Sequence, residues 1–262
     1  MSETPAQQYA AQGRRAGSDL PADSVEVHPD ADALAAAAAA RFVQVVVAAQ
    51  AERGAASVVL TGGGTGIAML EQVRKAPGGI DWSRLDIFWG DERFVPAGDP
   101  ERNELQARQA LLDHVPVDHA RVHPVAVSDG EYPDPVEAAA EYSTAVHAHL
   151  AEHGAFDLHL LGMGGEGHVN SLFPDTHAVR EEHELVVAVT NSPKPPPVRV
   201  TLTLPAVRRA RHVMLIVAGA GKAEAVAAAV GGAEPVDIPA AGAAGLESTT
   251  WLLDREAAGA LR

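Results

Sequence analysis

A histidine side chain moves protons near neutral pH, and His168 stands in a setting that suits such work. It follows Gly162-Met163-Gly164-Gly165-Glu166-Gly167, at the end of the apolar run Leu158 to Leu161. Glycines let backbone N–H groups approach a ligand closely. Glu166 adds a carboxylate two residues before the imidazole. Backbone donors, a carboxylate and an imidazole on one loop make a place for chemistry, although a satisfied loop histidine is the plain alternative. A second glycine cluster, Thr61-Gly62-Gly63-Gly64-Thr65-Gly66, lies between a strand and a helix. That arrangement presents N–H groups and a positive helix end to an anion. A tight turn alone needs fewer glycines, so anion or sugar binding is favoured. Lys194, Arg199 and Lys222 fall near predicted strand or loop ends, and converging there they would form a phosphate site. Asp91-Glu92-Arg93 is either a solvated loop or an ion-pair network that orients the arginine.

These residues need a scaffold that brings strand ends together. The pattern predicts strands at Ser24–His28, Ser57–Leu60, 82–89, 158–161, 185–189, 198–204, 212–218 and 251–254. Helices are predicted over 32–53, 67–75, 101–112, 136–153, 223–230 and 255–261, with a short helical connection at 205–211. Asp30 and Gly54 bracket the first helix. Pro100 and Pro135 are placed at the first position of their helices. Strand 198–204 alternates Arg199, Thr201 and Thr203 against Val200, Leu202 and Leu204, as a half-buried strand would. Residues 192–197 form a stiff proline-rich connector. The alternation of strands and helices implies an α/β fold, a doubly wound, mostly parallel sheet with helices on both faces. Such a Rossmann-like domain binds ligands at the carboxyl ends of its strands. It is expected to be single and to run from residue 24 to 262, behind a disordered tail at 1–23.

Composition narrows the classes of function. The formal net charge is −15 at pH 7, which argues against nucleic acid or an anionic membrane as the main partner. There is no cysteine, so thiolate metal sites and a cysteine nucleophile are excluded. No apolar run is expected to approach the roughly 18 residues of a membrane span, and residues 1–18 lack a secretory core, so a cytoplasmic protein is expected. Gly162-x-Gly164-x-x-Gly167 fits the dinucleotide fingerprint only loosely, since Pro174 cuts short the helix that should follow. No serine-hydrolase elbow, P-loop or zinc-protease motif occurs. His147 and His149 are two apart on a helix and read as solvated, not as metal ligands.

Taken together, these segments resemble the 6-phosphogluconolactonase family, which is related to glucosamine-6-phosphate deaminase/isomerase. The resemblance rests on T-G-G-G-T-G at 61–66, G-D-E-R-F-V-P at 90–96 with Asn103 behind it, L-G-M-G-G-E-G-H-V-N-S-L-F-P at 161–174, S-P-K-P-P-P-V-R-V-T-L-T at 192–203, and G-A-G-K at 219–222. It implies hydrolysis of 6-phospho-D-glucono-1,5-lactone in the oxidative pentose phosphate pathway, with no metal and no organic cofactor. It further implies that His168 is the general base and later the acid, with Glu166 orienting it or holding a hydroxyl. Arg93, Arg199 and Lys222 are implied as anion-binding residues, with Gly63, Gly64 and Thr65 lining the sugar-phosphate site. Asp91, Asn103, Gly164 and Lys194 belong to the same blocks and are expected beside the substrate. The chain departs from the family at Gly66, where proline is usual, and at Glu166, where aspartate is. The deaminase relatives carry Asn-Glu where Leu172-Phe173 stand here, so the lactonase reading is preferred over a deaminase or a non-catalytic sugar-phosphate sensor.

Overall fold

The computed structural model describes residues 7–10 and 24–261. The chain runs β1 (Gln7–Ala10), β2 (Ser24–His28), α1 (Ala31–Arg53), β3 (Ala56–Leu60), α2 (Gly63–Lys75), β4 (Leu85–Trp89), β5 (Asp91–Arg93) and α3 (Asn103–Ala110). It continues through α4 (Pro135–His153), β6 (Phe156–Leu161), β7 (Val186–Val189), β8 (Arg199–Leu202), α5 (Leu204–Val207), β9 (Ala210–Val217), α6 (Ala223–Val230) and β10 (Ser248–Asp254).

The main sheet has the order β1-β2-β10-β9-β6-β3-β4. All its pairings are parallel except the edge pair β1–β2. Successive residues of a strand point to opposite faces, and the core divides accordingly. Leu60, Leu158, Leu160 and Ile216 pack with Leu34, Phe42 and Val46 of α1 and Leu70 of α2. Val59, Leu161, Val213 and Val217 pack on the other side with Tyr142 and Val146 of α4 and Val226 of α6. The sheet is thus buried on both faces, as the continuous apolar strands require, and the expected doubly wound architecture is present. Truncating a side chain such as Leu160, fully buried between these layers, costs about 2–5 kcal/mol.

Several expectations need correction. Gln7–Ala10, within the stretch read as a tail, forms the antiparallel edge strand; the rest of residues 1–23 lies outside the described residues. Helix α1 is long and apolar enough, by length and composition, to cross a membrane. The expectation that no such stretch exists fails because alanine fills this helix. Its Leu34, Ala38, Phe42, Val46 and Ala49 face is buried on the sheet. Residues 82–84 form a 3-10 turn, so β4 begins at Leu85. Residues 255–260 form turns, where a helix over 255–261 was expected. There the carboxylate of Asp254 accepts from Ala257 N and Gly219 N, which ties the C-terminal segment to the turn carrying Lys222.

The largest departure is a second, three-stranded antiparallel sheet, β5-β8-β7. Strand β8 is buried along its whole length, not half-buried. Val200 and Leu202 face the core, and the polar face is covered by residues 168–173. Ser171 N donates to Thr201 Oγ1 at 3.1 Å, and Arg199 reaches Ser171 Oγ at 3.4 Å. An alternating pattern marks a solvent face only when nothing else lies on it.

Candidate active site

A cleft of about 360 Å³ opens where β3, β6 and β9 end and the second sheet begins. Every residue expected at the site borders it except Glu166, which stands at its rim. The cleft gathers Gly63, Gly64, Thr65, Asp91, Arg93, Asn103, Gly164, His168, Lys194, Arg199 and Lys222. Five blocks far apart in sequence therefore meet at the carboxyl edge of the sheet, where open α/β folds bind ligands.

The first glycine cluster is less a loop than a helix start. Helix α2 begins at Gly63, four residues before the expected Ile67. Gly62 occupies its N-cap position with no side-chain cap, and no acidic residue lies in the first turn. The orphan N–H groups of that turn are left for a ligand, and the helix dipole favours an anion there. A Cβ at position 62 would sit 2.0 Å from Asn103 Oδ1, so only glycine lets α3 approach. Thr61 Oγ1 accepts from Gly162 N at 3.1 Å and joins the two glycine clusters.

In the second cluster, Gly167 N donates to Gly164 O and Gly164 N to His168 O, both at 3.0 Å. This tight turn brings the imidazole back over Gly164. A Cβ at 164 would lie 2.1 Å from His168 Nδ1, so the position is closed to any side chain. The ring stacks on Phe173, with centroids 4.4 Å apart. Glu166 Oε1 is 3.1 Å from His168 Nδ1, close enough for its charge to act but poorly aligned as a hydrogen bond. Lys194 Nζ is 2.8 Å from the same carboxylate. Burial lowers the pKa of His168 and the Lys194 charge adds to this, while Glu166 and Asp91 work against it; the result lies below the ordinary histidine value. Burial also pushes Glu166 up, but the Lys194 hydrogen bond and the nearby positive charges outweigh it, and the carboxyl titrates below its usual range. At neutral pH the site therefore holds a neutral imidazole beside a charged Glu166–Lys194 pair.

The Asp91-Glu92-Arg93 block does not form a network around its own arginine. Asp91 accepts from Ser171 Oγ at 2.6 Å and from Asn103 Nδ2, and lies 3.6 Å from Arg199 Nη1. Glu92, fully buried, caps α3 from outside the helix, taking Asn103 N at 2.7 Å and Glu104 N at 2.8 Å. That cap starts α3 at Asn103, and Pro100 falls in the preceding turn instead of opening the helix. Burial pushes the Glu92 carboxyl up to about 7, against the pull of Arg102 and these N–H donors. Arg93 turns away to Glu101 O and Glu101 Oε2, while its buried Nε has no protein partner.

The remaining cations differ in how free they are. Arg199, nearly fully buried, donates to Pro196 O at 3.0 Å, to Lys194 O and Pro195 O at 3.2 Å, and to Ser171 Oγ. Of five guanidinium N–H groups, three fold residues 194–196 over the cleft and a fourth holds Ser171. The proline-rich segment is thus a strap held by Arg199, bent where a stiff connector was expected. Lys222 donates to Met163 O; burial, with Lys194 nearby, lowers its pKa. Lys194 is the most exposed of the group.

Sequence reasoning passed over Asn170 and Ser171. Asn170 borders the cleft with a positive φ of 49°, and Ser171 joins Asp91 to Arg199. Their signal, two polar residues directly after Gly167-His168-Val169, was present but unremarked. His149, expected to be solvated, is buried, because its ring stacks on Phe156 at 5.1 Å.

Comparison with known proteins gives consistent results. The family described as glucosamine-6-phosphate isomerases/6-phosphogluconolactonase matches residues 29–251. A 6-phosphogluconolactonase of Mycobacterium tuberculosis is 55% identical over 242 residues, 91% of this chain and 98% of that protein. One from Streptomyces coelicolor is 54% identical over 252 residues, 93% of this chain and 96% of its own. The solved 6-phosphogluconolactonase of Trypanosoma brucei superposes with a TM-score of 0.77 at 26% identity, covering 93% of this chain and 100% of that one.

Proposed function

Because the chain belongs to the glucosamine-6-phosphate isomerase/6-phosphogluconolactonase family, we propose that it hydrolyses 6-phospho-D-glucono-1,5-lactone to 6-phospho-D-gluconate in the pentose phosphate pathway, with His168 moving the proton. The carrying observation is a neutral imidazole at a cleft lined by backbone N–H groups and cations. The phosphate is read at the open start of α2, with Arg93, Lys222 and Arg199 around it. Binding at that distance fixes the lactone carbonyl near His168. Its substrate carries the fixed charge of a sugar phosphate, which membranes retain, so its working place is read as the cytoplasm.

A lactone is an activated ester, so imidazole and water suffice for the chemistry. With Nδ1 turned to Glu166, Nε2 is the base. It takes a proton from water as the oxygen attacks C1. The carbonyl oxygen becomes an oxyanion, steadied by nearby N–H groups. As the tetrahedral intermediate collapses, the C1–ring oxygen bond breaks and the imidazolium returns its proton to the leaving oxygen. Glu166 steadies the transient imidazolium. Leu172 and Phe173 are fully buried, and Phe173 stacks under His168. A deaminase-type glutamate therefore has no counterpart at this point, which favours the hydrolase over a deaminase.

The test is lactone hydrolysis followed against the spontaneous rate, with ammonia release from glucosamine 6-phosphate measured in parallel. Lactone opening above background without ammonia is the expected result; ammonia release without lactone opening would overturn the reading.

A further inference from the structure

At the opposite edge of the sheet, the last turn of α4 meets the start of β4. His149 and His153 are four residues apart on α4 and so share one helix face. Their rings lie 4.6 Å apart between centroids. Asp86, the second residue of β4, faces them. The potential ligand atoms of the three residues all lie within 4.8 Å of one another. The site is separate from the cleft, since β4 reaches the catalytic edge only at its far end.

His149 carries the argument. It is 8% exposed, and its Nε2 is buried without a protein hydrogen-bond partner. Leaving a buried polar atom unpaired costs free energy, so the atom calls for a partner. The ring is fixed by apolar packing, stacked on Phe156 and tilted against Phe88. It lines a small cavity of about 70 Å³ together with Asp86 and His153. Asp86 is itself held in place by Arg121 at 2.7 Å and His123 at 3.1 Å. Such support of a carboxylate ligand is what metal sites need, and the remaining lone pairs of Asp86 stay available.

We propose that Asp86, His149 and His153 bind a divalent transition metal, zinc being the ion of best fit, which staples the last turn of α4 to the start of β4. Two imidazoles and one carboxylate suit zinc, and a water completes four-coordination. Ligand atoms around tetrahedral zinc lie about 3.4 Å apart, for bonds of roughly 2.0–2.1 Å. His153 is exposed, so a modest turn of its side chain closes the gap. The C-terminal end of a helix favours a cation. Of the nearby arginines, Arg53 is paired away with Asp157, and Arg121 orients the Asp86 carboxylate from its other oxygen side.

The test is zinc titration of the full chain by calorimetry, with thermal unfolding followed in parallel. The catalytic cleft also offers an imidazole and a carboxylate, so His168→Ala serves as background. The expected result is one zinc bound and a raised Tm in both the native chain and His168→Ala. His153→Ala should weaken binding about tenfold or more, since even outer partners of metal ligands are worth that. Asp86→Asn should do the same. If Asp86→Asn fails to fold, His153→Ala decides alone, because an exposed residue is removed at little structural cost. No zinc-dependent rise in Tm, a rise unchanged in His153→Ala, or a rise lost in His168→Ala would each overturn the proposal.

Discussion

The two edges of the sheet each hold a histidine stacked on phenylalanine, half-buried at one edge and buried at the other, and they differ in what lies around it. His168 rests on Phe173 and His149 on Phe156. Burial lowers the pKa of both, His149 to about 4. At the carboxyl edge the surroundings are N–H groups, Lys222, Lys194 and Arg93, around a cleft of about 360 Å³. At the other edge they are Asp86 and a second imidazole around about 70 Å³. A buried imidazole is therefore not in itself a catalytic sign. The charge and donors facing it, and the room beside it, decide whether an anionic sugar or a cation fits.

The sharpest way to break this contrast is to remove each imidazole. His168→Ala should lower kcat by about two to four orders of magnitude, the range for a proton-transfer group, while product binding measured by calorimetry stays close to native. His153→Ala should leave kcat unchanged. Near-native hydrolysis by His168→Ala would show that the cleft histidine is no more chemical than its counterpart.

The next effect concerns the cations that set the carboxyl edge apart. Lys222→Ala removes a charged donor, worth about 1.5–3 kcal/mol when its partner is ionised. The value of kcat/KM for the phosphorylated lactone should fall by roughly one to two orders of magnitude, mostly through KM. Arg199→Ala should differ. Four of its five N–H groups hold residues 194–196 and Ser171, so its loss should reduce kcat and Tm as well as affinity. Steady-state kinetics beside thermal unfolding separates the two. A pure KM effect from Arg199→Ala would mean that the strap does not depend on it.

The fold and the carboxyl-edge cleft were legible in the sequence for a physical reason. Parallel strands buried on both faces leave short apolar runs, and the residues following them must collect at one edge. Lys194, Arg199 and Lys222 were accordingly found together from their places near strand ends. What escaped were contacts made across long separations. Glu92 caps α3 from a neighbouring strand, so the start of that helix carries no local signal. β8 reads as half-buried because its second cover, residues 168–173, comes from another block. The Asp86–His149–His153 cluster joins a strand to a helix some sixty residues later, and only packing reveals it. A spacing of two drew attention to His147, while the pairing that shares a face is His149 with His153.

A smaller effect tests the unpaired atom at the amino edge. His149→Phe keeps the stacking on Phe156 and removes a buried nitrogen that lacks a protein partner. In metal-free protein it should gain about 1 kcal/mol of stability, seen as a higher denaturant midpoint at unchanged slope. The same variant should no longer respond to zinc. A clear loss of stability in metal-free protein would mean that the nitrogen is satisfied after all, and the contrast between the two histidines would rest on charge alone.

The smallest effect is a displacement of the pH profile, and its sign discriminates among roles. A general base must be neutral, so kcat/KM should rise as pH passes the His168 pKa of the free enzyme and level off above it. Burial puts that pKa below the ordinary 6.5, so the native plateau should already be reached at neutral pH. Glu166 raises this pKa and Lys194 lowers it. Glu166→Gln should therefore shift the acid limb to lower pH, the more so because Lys194 loses its partner. Lys194→Ala should shift the limb to higher pH. Opposite displacements with retained plateaus fit His168 as the base and Glu166 as a residue that positions and tunes it. If Glu166→Gln instead abolished the plateau, the carboxylate at the rim would be the proton acceptor, and the imidazole at the carboxyl edge would be as much a packing element as the one at the other.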